Sequence, residues 1–342
     1  MKSIFIEGGV RGAWRVLFLT ATLFGCDSPT PAGPSGSKFP PVQPPDPPVD
    51  RVDAPFDLSN LRGYSAFAIV GRSREDRINL MVEGREHGFP TVRACGETEF
   101  WDGAPDDDHP RFVRSLERLR VFLSDATRLA GIQVLLVPNC TLRDAVPVAE
   151  QLAWDRGVRE LVTAWRFQNV AVEVVNEFWH PDSLIGKVPI VGMISAWNAS
   201  GVLTGTDDAV CIGDFTLQHR LFGHAAFYSF HPCRETPGPR PQPWDPSVSW
   251  LRKLLDANSG STGRPVILSE TVCYADPNDF GGLCTADRER IQAALDAAAA
   301  ADVGWIYHSR EGLGAKPPYS WWPQIGLQNA LKSGTVDIGE RQ

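Results

Sequence analysis

Eight short apolar runs recur along the chain: Tyr64–Val70, Thr91–Ala94, Ile132–Val137, Val170–Val175, Val188–Ile194, Ala225–Phe230, Pro265–Leu268 and Val303–Tyr307. Each has the length and the β-branched or aromatic content of a buried strand. Between them the period lengthens. Phe112, Leu116, Leu119, Phe122, Leu123 and Leu129 predict a helix over Arg111–Leu129, and the Ala-rich segment Thr285–Ala301 sets Ile291 and Leu295 opposite charged positions. Strand and helix in alternation predict a parallel sheet. Eight such runs predict a closed (β/α)8 TIM barrel rather than an open doubly wound sheet, and no GxGxxG follows the first run. Gly201, Gly205, Gly213 and Gly223 make Ile194–Ala225 read as a long loop.

The pattern breaks down before the first run. Lys2, Arg11 and Arg15 precede the apolar stretch Val16–Phe24, which is too short to span a bilayer and has the length of a signal-peptide core. Leu23-Phe24-Gly25-Cys26 resembles a bacterial lipobox, which implies lipidation of Cys26 and a mature chain that begins there; plain secretion is the alternative. Residues 27–56 hold ten Pro among Ser, Gly and Asp, a composition that favours extended polyproline II and no core. The expected organisation is a signal peptide over 1–26, a Pro-rich linker over 27–56 and one catalytic-sized barrel over 57–335. The implied location is the cell envelope or surface, with the membrane met only through the lipid anchor.

Composition narrows the chemistry. With 43% hydrophobic and 22% charged residues the 342-residue chain is globular, and its net charge of -8 without a basic block argues against nucleic acid as a partner. Eleven Trp offer flat faces suited to sugars as well as to cores, with Trp101, Trp179, Trp197, Trp305, Trp321 and Trp322 as candidate platforms. Six cysteines follow Cys26, an even number that favours disulfides in an exported chain. Of fifteen possible pairings, spacing selects Cys95–Cys140, just beyond adjacent strands, and Cys273–Cys284, which bracket a short loop; Cys211–Cys233 is the third expected pair. No CxxC or HxxxH pair supports a metal site, so no cofactor is expected, and a monomer is the expected state.

Barrel chemistry sits at the C-terminal ends of the strands, and two runs lead into a carboxylate there. Val170–Val175 continues into Asn176-Glu177-Phe178-Trp179-His180, and Pro265–Ser269 continues into Glu270. Asn-Glu after the fourth run and Glu after the seventh resemble clan A glycoside hydrolases, most nearly family 5, over about Asp57–Ala330. The resemblance implies Glu177 as acid/base, Glu270 as nucleophile and a β-linked glycan as substrate. Two carboxyls suit that reaction, one protonating the leaving oxygen while the other attacks the anomeric carbon. By the same resemblance Arg93 orients the nucleophile, Asn176 binds the sugar 2-hydroxyl, and His231 and His308 stand at substrate-facing positions, with Trp179 and Trp305 added as candidate sugar platforms. Glu173 shares strand parity with Glu177 and is expected inside the barrel in an ion pair.

The chain also departs from that family. Cys233 stands where a Tyr is usual, Pro138-Asn139 replaces a His after the third run, and His308 replaces the platform Trp on the eighth. Two rival readings follow. One is a noncatalytic carbohydrate-binding surface lipoprotein, against which the paired Glu177 and Glu270 argue. The other is a metal-dependent barrel hydrolase, for which only His231 and His308 lie at strand ends, without a third ligand.

Overall fold

The computed structural model describes residues 55–58, 61–97, 114–129, 131–140, 147–176, 190–210, 224–232, 264–269 and 295–307; over 207–210 and 231–232 it describes the backbone. Eight strands close into one barrel in chain order. They are β1 (Arg62–Ser65), β2 (Thr91–Cys95), β3 (Gln133–Val137), β4 (Val170–Glu173), β5 (Leu203–Val210), β6 (Phe227–Pro232), β7 (Val266–Leu268) and β8 (Gly304–Tyr307). Each pairs in parallel with its neighbours, and β8 closes onto β1 through Ile306 opposite Gly63. Four helices, α1 (Arg74–Glu86), α2 (Leu116–Arg128), α3 (Val148–Trp165) and α4 (Ile190–Ala199), fill the first four crossovers, and residues 295–300 are helical before β8.

Local chemistry explains the helix starts. Ser73 and Ser115 precede α1 and α2, and their hydroxyls accept from the N–H of Asp76 at 3.1 Å and of Arg118 at 3.3 Å, so each satisfies an otherwise orphaned donor. Arg74 and Arg77 both pair with buried Asp125, at 3.0 and 3.1 Å, and hold α1 against α2.

Two expected elements differ. Of the run Val188–Ile194, the described residues Ile190–Ile194 are not a strand but the start of α4, where buried Ile190, Met193, Ile194 and Trp197 follow helical spacing and Gly192 and Ser195 face outward. The fifth strand lies instead inside the expected loop, at Leu203–Val210. Its glycine is a packing device: a Cβ on Gly205 would sit 2.1 Å from the Phe227 ring, so only glycine lets that ring fill the barrel. The first run is also divided, since β1 ends at Ser65 and Phe67–Gly71 forms a 3-10 helix that buries Phe67, Ala68, Ile69 and Val70.

Strand register sorts the inward positions into layers. Thr91, Ala171, Phe227 and Gly304 come from the even strands; Gly63, Leu135, Gly205 and Ile267, from the odd strands, lie above them; Arg93, Glu173, Ser229 and Ile306 lie above those. Apart from Thr91 the two lower layers are apolar, and their Leu135, Ala171, Phe227 and Ile267 cluster with Leu61 and with Ile306 of the layer above, with Phe56 and Leu58 packed on the cluster. The Phe56 N–H donates to the Gln168 carbonyl at 2.9 Å, just before β4, so residues 55–58 tie down at the N-terminal end of the barrel. The floor is greasy and stapled shut, and the polar layer lies toward the opposite end.

Candidate active site

Parity alone brings Arg93, Glu173 and Ser229 together. They stand on β2, β4 and β6, their side chains turn inward at one level, and all three are fully buried. A buried carboxylate requires donors. Glu173 accepts from Arg93 Nη2 on Oε1 at 2.5 Å, from Arg93 Nε on Oε2 at 3.3 Å, and from the Ser229 hydroxyl on Oε2 at 2.7 Å. Arg93 Nη2 also donates to Asn176 Oδ1 at 2.7 Å. The guanidinium carbon lies 4.9 Å from the centroid of the Phe67 ring, a cation–π contact that holds the plane from the 3-10 helix side.

The strand ends above this layer are tied to one another. Cys95, the last residue of β2, and Cys140, three residues past β3, form a disulfide with Cα atoms 5.8 Å apart, the pairing that their spacing predicts. The Gly96 N–H donates to the Val137 carbonyl at 2.8 Å, and the Asn176 N–H to the Asn139 carbonyl at 3.1 Å. Asn139 Nδ2 reaches the Val174 carbonyl at 3.3 Å, while Trp154 of α3 donates its indole N–H to the Pro138 carbonyl at 2.8 Å. The segment after β3 is thus pinned from three sides, and it holds the backbone of Asn176. On the β2 side, buried Glu97 accepts both Nε and Nη2 of Arg114, at 2.9 and 2.8 Å.

Two polar atoms near this end retain hydrogen-bonding capacity. Asn139 Oδ1 and Ser269 Oγ are buried and have no hydrogen-bond partner among the described residues. Ser269 directly precedes Glu270, and its N–H continues the β6–β7 pairing by donating to the Phe230 carbonyl at 3.0 Å. Among the described residues no group of three His, Cys, Asp or Glu could hold a metal ion.

The residues expected at the site divide into three groups. Arg93, Glu173 and Asn176 meet as described, and Asn176 directly precedes Glu177 in the chain. Trp305 does not join them. It is on the outer face of β8, buried against Phe89 with ring centroids 6.1 Å apart, and it lines a small cavity with Leu61, Leu295, Ala298 and Val303. The reason is parity: Gly304 and Ile306 take the inward places, which leaves Trp305 and Tyr307 between sheet and helices. Trp197, another candidate platform, is buried on α4 with its indole N–H on Asp155 Oδ1 at 2.9 Å. The backbone of His231 lies in β6 opposite Ala209. Glu177, Trp179, Glu270 and His308, the His231 side chain, the pairs Cys211–Cys233 and Cys273–Cys284, and Cys26 with the signal peptide and residues 27–54 lie outside the described residues.

Sequence reading missed Ser229, which it met only within Tyr228-Ser-Phe-His231. The signal was present: Phe227 and Ser229 share strand parity, and a small serine two residues after a large inward ring leaves room for a group from across the barrel.

No protein-family model and no curated protein sequence matches the chain. Solved structures do resemble it. The endo-1,4-β-mannanase from Rhizomucor miehei aligns with a TM-score of 0.52 at 12% identity, covering 81% of this chain and 96% of the mannanase. A glycoside hydrolase family 5 protein from Bacteroides vulgatus aligns with a TM-score of 0.51 at 13% identity, covering 74% of this chain and 58% of that one. The closed eight-stranded parallel barrel is the fold that this chain has in common with them.

Proposed function

We propose that the chain is a retaining glycoside hydrolase that cleaves a β-linked oligo- or polysaccharide with Glu177 and Glu270. The observation that carries this reading is the buried hydrogen-bonded group of Arg93, Glu173, Ser229 and Asn176. It lies at the C-terminal side of a barrel whose fold glycoside hydrolases share. Glu177 follows Asn176, a member of this group, and Glu270 follows Ser269, the residue just after β7. In a retaining enzyme the two carboxyls stand about 5–5.5 Å apart.

Glu270 attacks the anomeric carbon while Glu177 protonates the departing oxygen, giving a glycosyl ester. Glu177 then takes a proton from water, which attacks the same carbon and frees Glu270; two inversions retain configuration. Arg93 places a fixed positive charge beside the reacting centre, and Asn176 offers its amide to a sugar hydroxyl. His231, Trp179 and His308 complete the sugar contacts. Arg93 cannot lose its proton, so it serves as a charge and not as an acid.

The test is a panel of glycans that starts with β-1,4-mannan, the polymer class of the Rhizomucor neighbour, and includes β-glucan and xylan, with product configuration read by NMR. Glu270→Gln should abolish turnover because a carboxamide cannot form the ester. Glu177→Gln should retain more activity toward a substrate with a good leaving group, and azide should restore its deglycosylation as a retained glycosyl azide. Parental turnover in both variants would overturn the assignment. Binding across the panel without cleavage would establish the noncatalytic carbohydrate-binding reading instead.

The same reading places the protein outside the cytoplasm, held by a lipid on Cys26. The Cys95–Cys140 bridge supports an oxidising compartment. Detergent partitioning of the full chain and of Cys26→Ser tests the anchor: the variant should move to the aqueous phase, and identical partitioning would replace the anchor by plain secretion.

A further inference from the structure

We infer that Ser229 is a positioning residue that acts through Glu173 and Arg93 to fix which face of the Asn176 amide is offered to the ligand. This deepens the hydrolase reading and rests on it for the nature of the ligand. Arg93 carries only donors, so the atom of Asn176 that meets Nη2 at 2.7 Å has to be the carbonyl oxygen Oδ1. Amide orientation is usually a matter of assignment, but here chemistry decides it. With Oδ1 turned toward Arg93, the Nδ2 group is the one left to point elsewhere, and it can only donate. Asn176 therefore selects an acceptor oxygen, such as a sugar hydroxyl oxygen, and disfavours a group that needs an acceptor in return.

That choice depends on where Nη2 lies, since it serves Glu173 Oε1 and Asn176 Oδ1 at once. Oε1 is placed by the rotation of the Glu173 carboxylate, and the carboxylate is held through its other oxygen. On Oε2 the Ser229 hydroxyl, at 2.7 Å, is the shorter contact, and Arg93 Nε, at 3.3 Å, the longer. Ser229 comes from β6, across the barrel from β2, so it pulls the carboxylate in a direction that Arg93 cannot supply. Without the hydroxyl, Oε2 would turn toward Nε to shorten that contact, Oε1 would rotate with it, and Nη2 would be drawn off Asn176. The amide would then be free to flip and offer an acceptor where it had offered a donor. A merely structural Ser229 would satisfy the carboxylate and leave Asn176 unaffected.

The full chain is labelled with nitrogen-15, and the side-chain amide signals of Asn176 are assigned by their loss in Asn176→Asp. In Ser229→Ala these two signals should shift and broaden, and in Ser229→Thr, which keeps the hydroxyl, they should return toward the parental positions. Ser229→Cys, similar in size with a weaker donor, should fall between and serves in place of Ser229→Ala if the latter does not fold. On whichever glycan the parent cleaves, Ser229→Ala should lose about tenfold in kcat/KM, the worth of one buried hydrogen bond to a charged group, and Ser229→Thr should recover most of it. Asn176 signals that coincide with the parent's in folded Ser229→Ala or Ser229→Cys would overturn the proposal. A parent that cleaves no glycan would defeat the hydrolase reading and leave the spectroscopic result to decide on Ser229 alone.

Discussion

Asp155 should make the folded chain less stable as the pH rises from about 4 to about 6, and Asp155→Asn should remove that loss. The residue sits on α3, 4% exposed, with Oδ1 accepting the indole N–H of Trp197 on α4 at 2.9 Å. Burial pushes its carboxyl up to about 6 from an ordinary value of 3.8, against the smaller downward pulls of the Trp197 hydrogen bond and the Arg159 charge. The folded value lies above the unfolded one, so between the two the folded state holds the extra proton, and stability falls as pH rises. Below 3.8 both states are protonated and the native advantage is complete; above about 6 both are ionised and it is gone. The gap between 3.8 and about 6 converts at 1.36 kcal/mol per pH unit to roughly 3 kcal/mol. Asn keeps the acceptor for Trp197 and cannot ionise, although its own N–H donors cost about 1–3 kcal/mol if buried without partners. The decisive quantity is consequently a slope. Urea unfolding of parent and variant from pH 3.5 to 8 should give a stability difference, variant minus parent, that grows by roughly 3 kcal/mol between pH 4 and 7 and is flat above. A difference that stays constant across that window would refute the reasoning, because it would mean that Asp155 titrates alike in the folded and unfolded chains.

Two further substitutions probe the barrel and the tie above it. Gly205→Ala drives a Cβ to within 2.1 Å of the Phe227 ring, whereas on Gly304 the nearest atom is Ile267 Cγ1 at 3.2 Å, so Gly205→Ala should cost about 1–3 kcal/mol or more and Gly304→Ala clearly less. Equal unfolding free energies for the two would show that Phe227 is not locked in the interior. Replacing Cys95 and Cys140 together by Ser opens a loop with a sequence separation of 45 and should destabilise the fold by up to about 4 kcal/mol in denaturant titrations. A loss below about 1 kcal/mol would mean that the contacts of Pro138 and Asn139 hold the strand ends without the bridge.

Seven of the eight strands were legible because a parallel barrel buries both faces of each strand and writes it as an apolar run. The fifth was not. Val188–Ile194 has the composition of a strand, but Met193, Ile194 and Trp197 carry the helical period past its end, and the window stopped before that period could show. The true strand hid behind Gly205, Asp207 and Asp208, which read as turn residues. Gly205 is small because Phe227 is large, a reason that lies on the next strand, β6, and that no local pattern contains. At the site, Arg93 and Glu173 were legible as charges inside apolar runs. Trp305 was misread because its attraction to sugars was weighed before its parity with Ile306.

The buried pair itself argues that this layer was not shaped for stability. Burial of Arg93 and Glu173 costs about several kcal/mol for each ion, and the attraction between them repays this only when the geometry is good and the remaining hydrogen bonds are met. The layer beneath shows a cheaper solution on the same barrel, since Leu135 and Ile267 fill it beside two glycines with no polar atom to satisfy. Had packing been the sole requirement, the layer above could have been built likewise, and its fourth member, Ile306, is so built. Instead three of its four positions carry hydrogen-bonding groups that answer one another, and the outermost link reaches Asn176, 5% exposed, the first of the set to meet solvent. Order runs outward along that chain of contacts, from Ser229 on β6 through Glu173 on β4 and Arg93 on β2 to Asn176, three residues past β4. A polar layer placed one step below a barrel's C-terminal mouth, rigid and expensive, is what a binding amide needs behind it if its donor is to point one way.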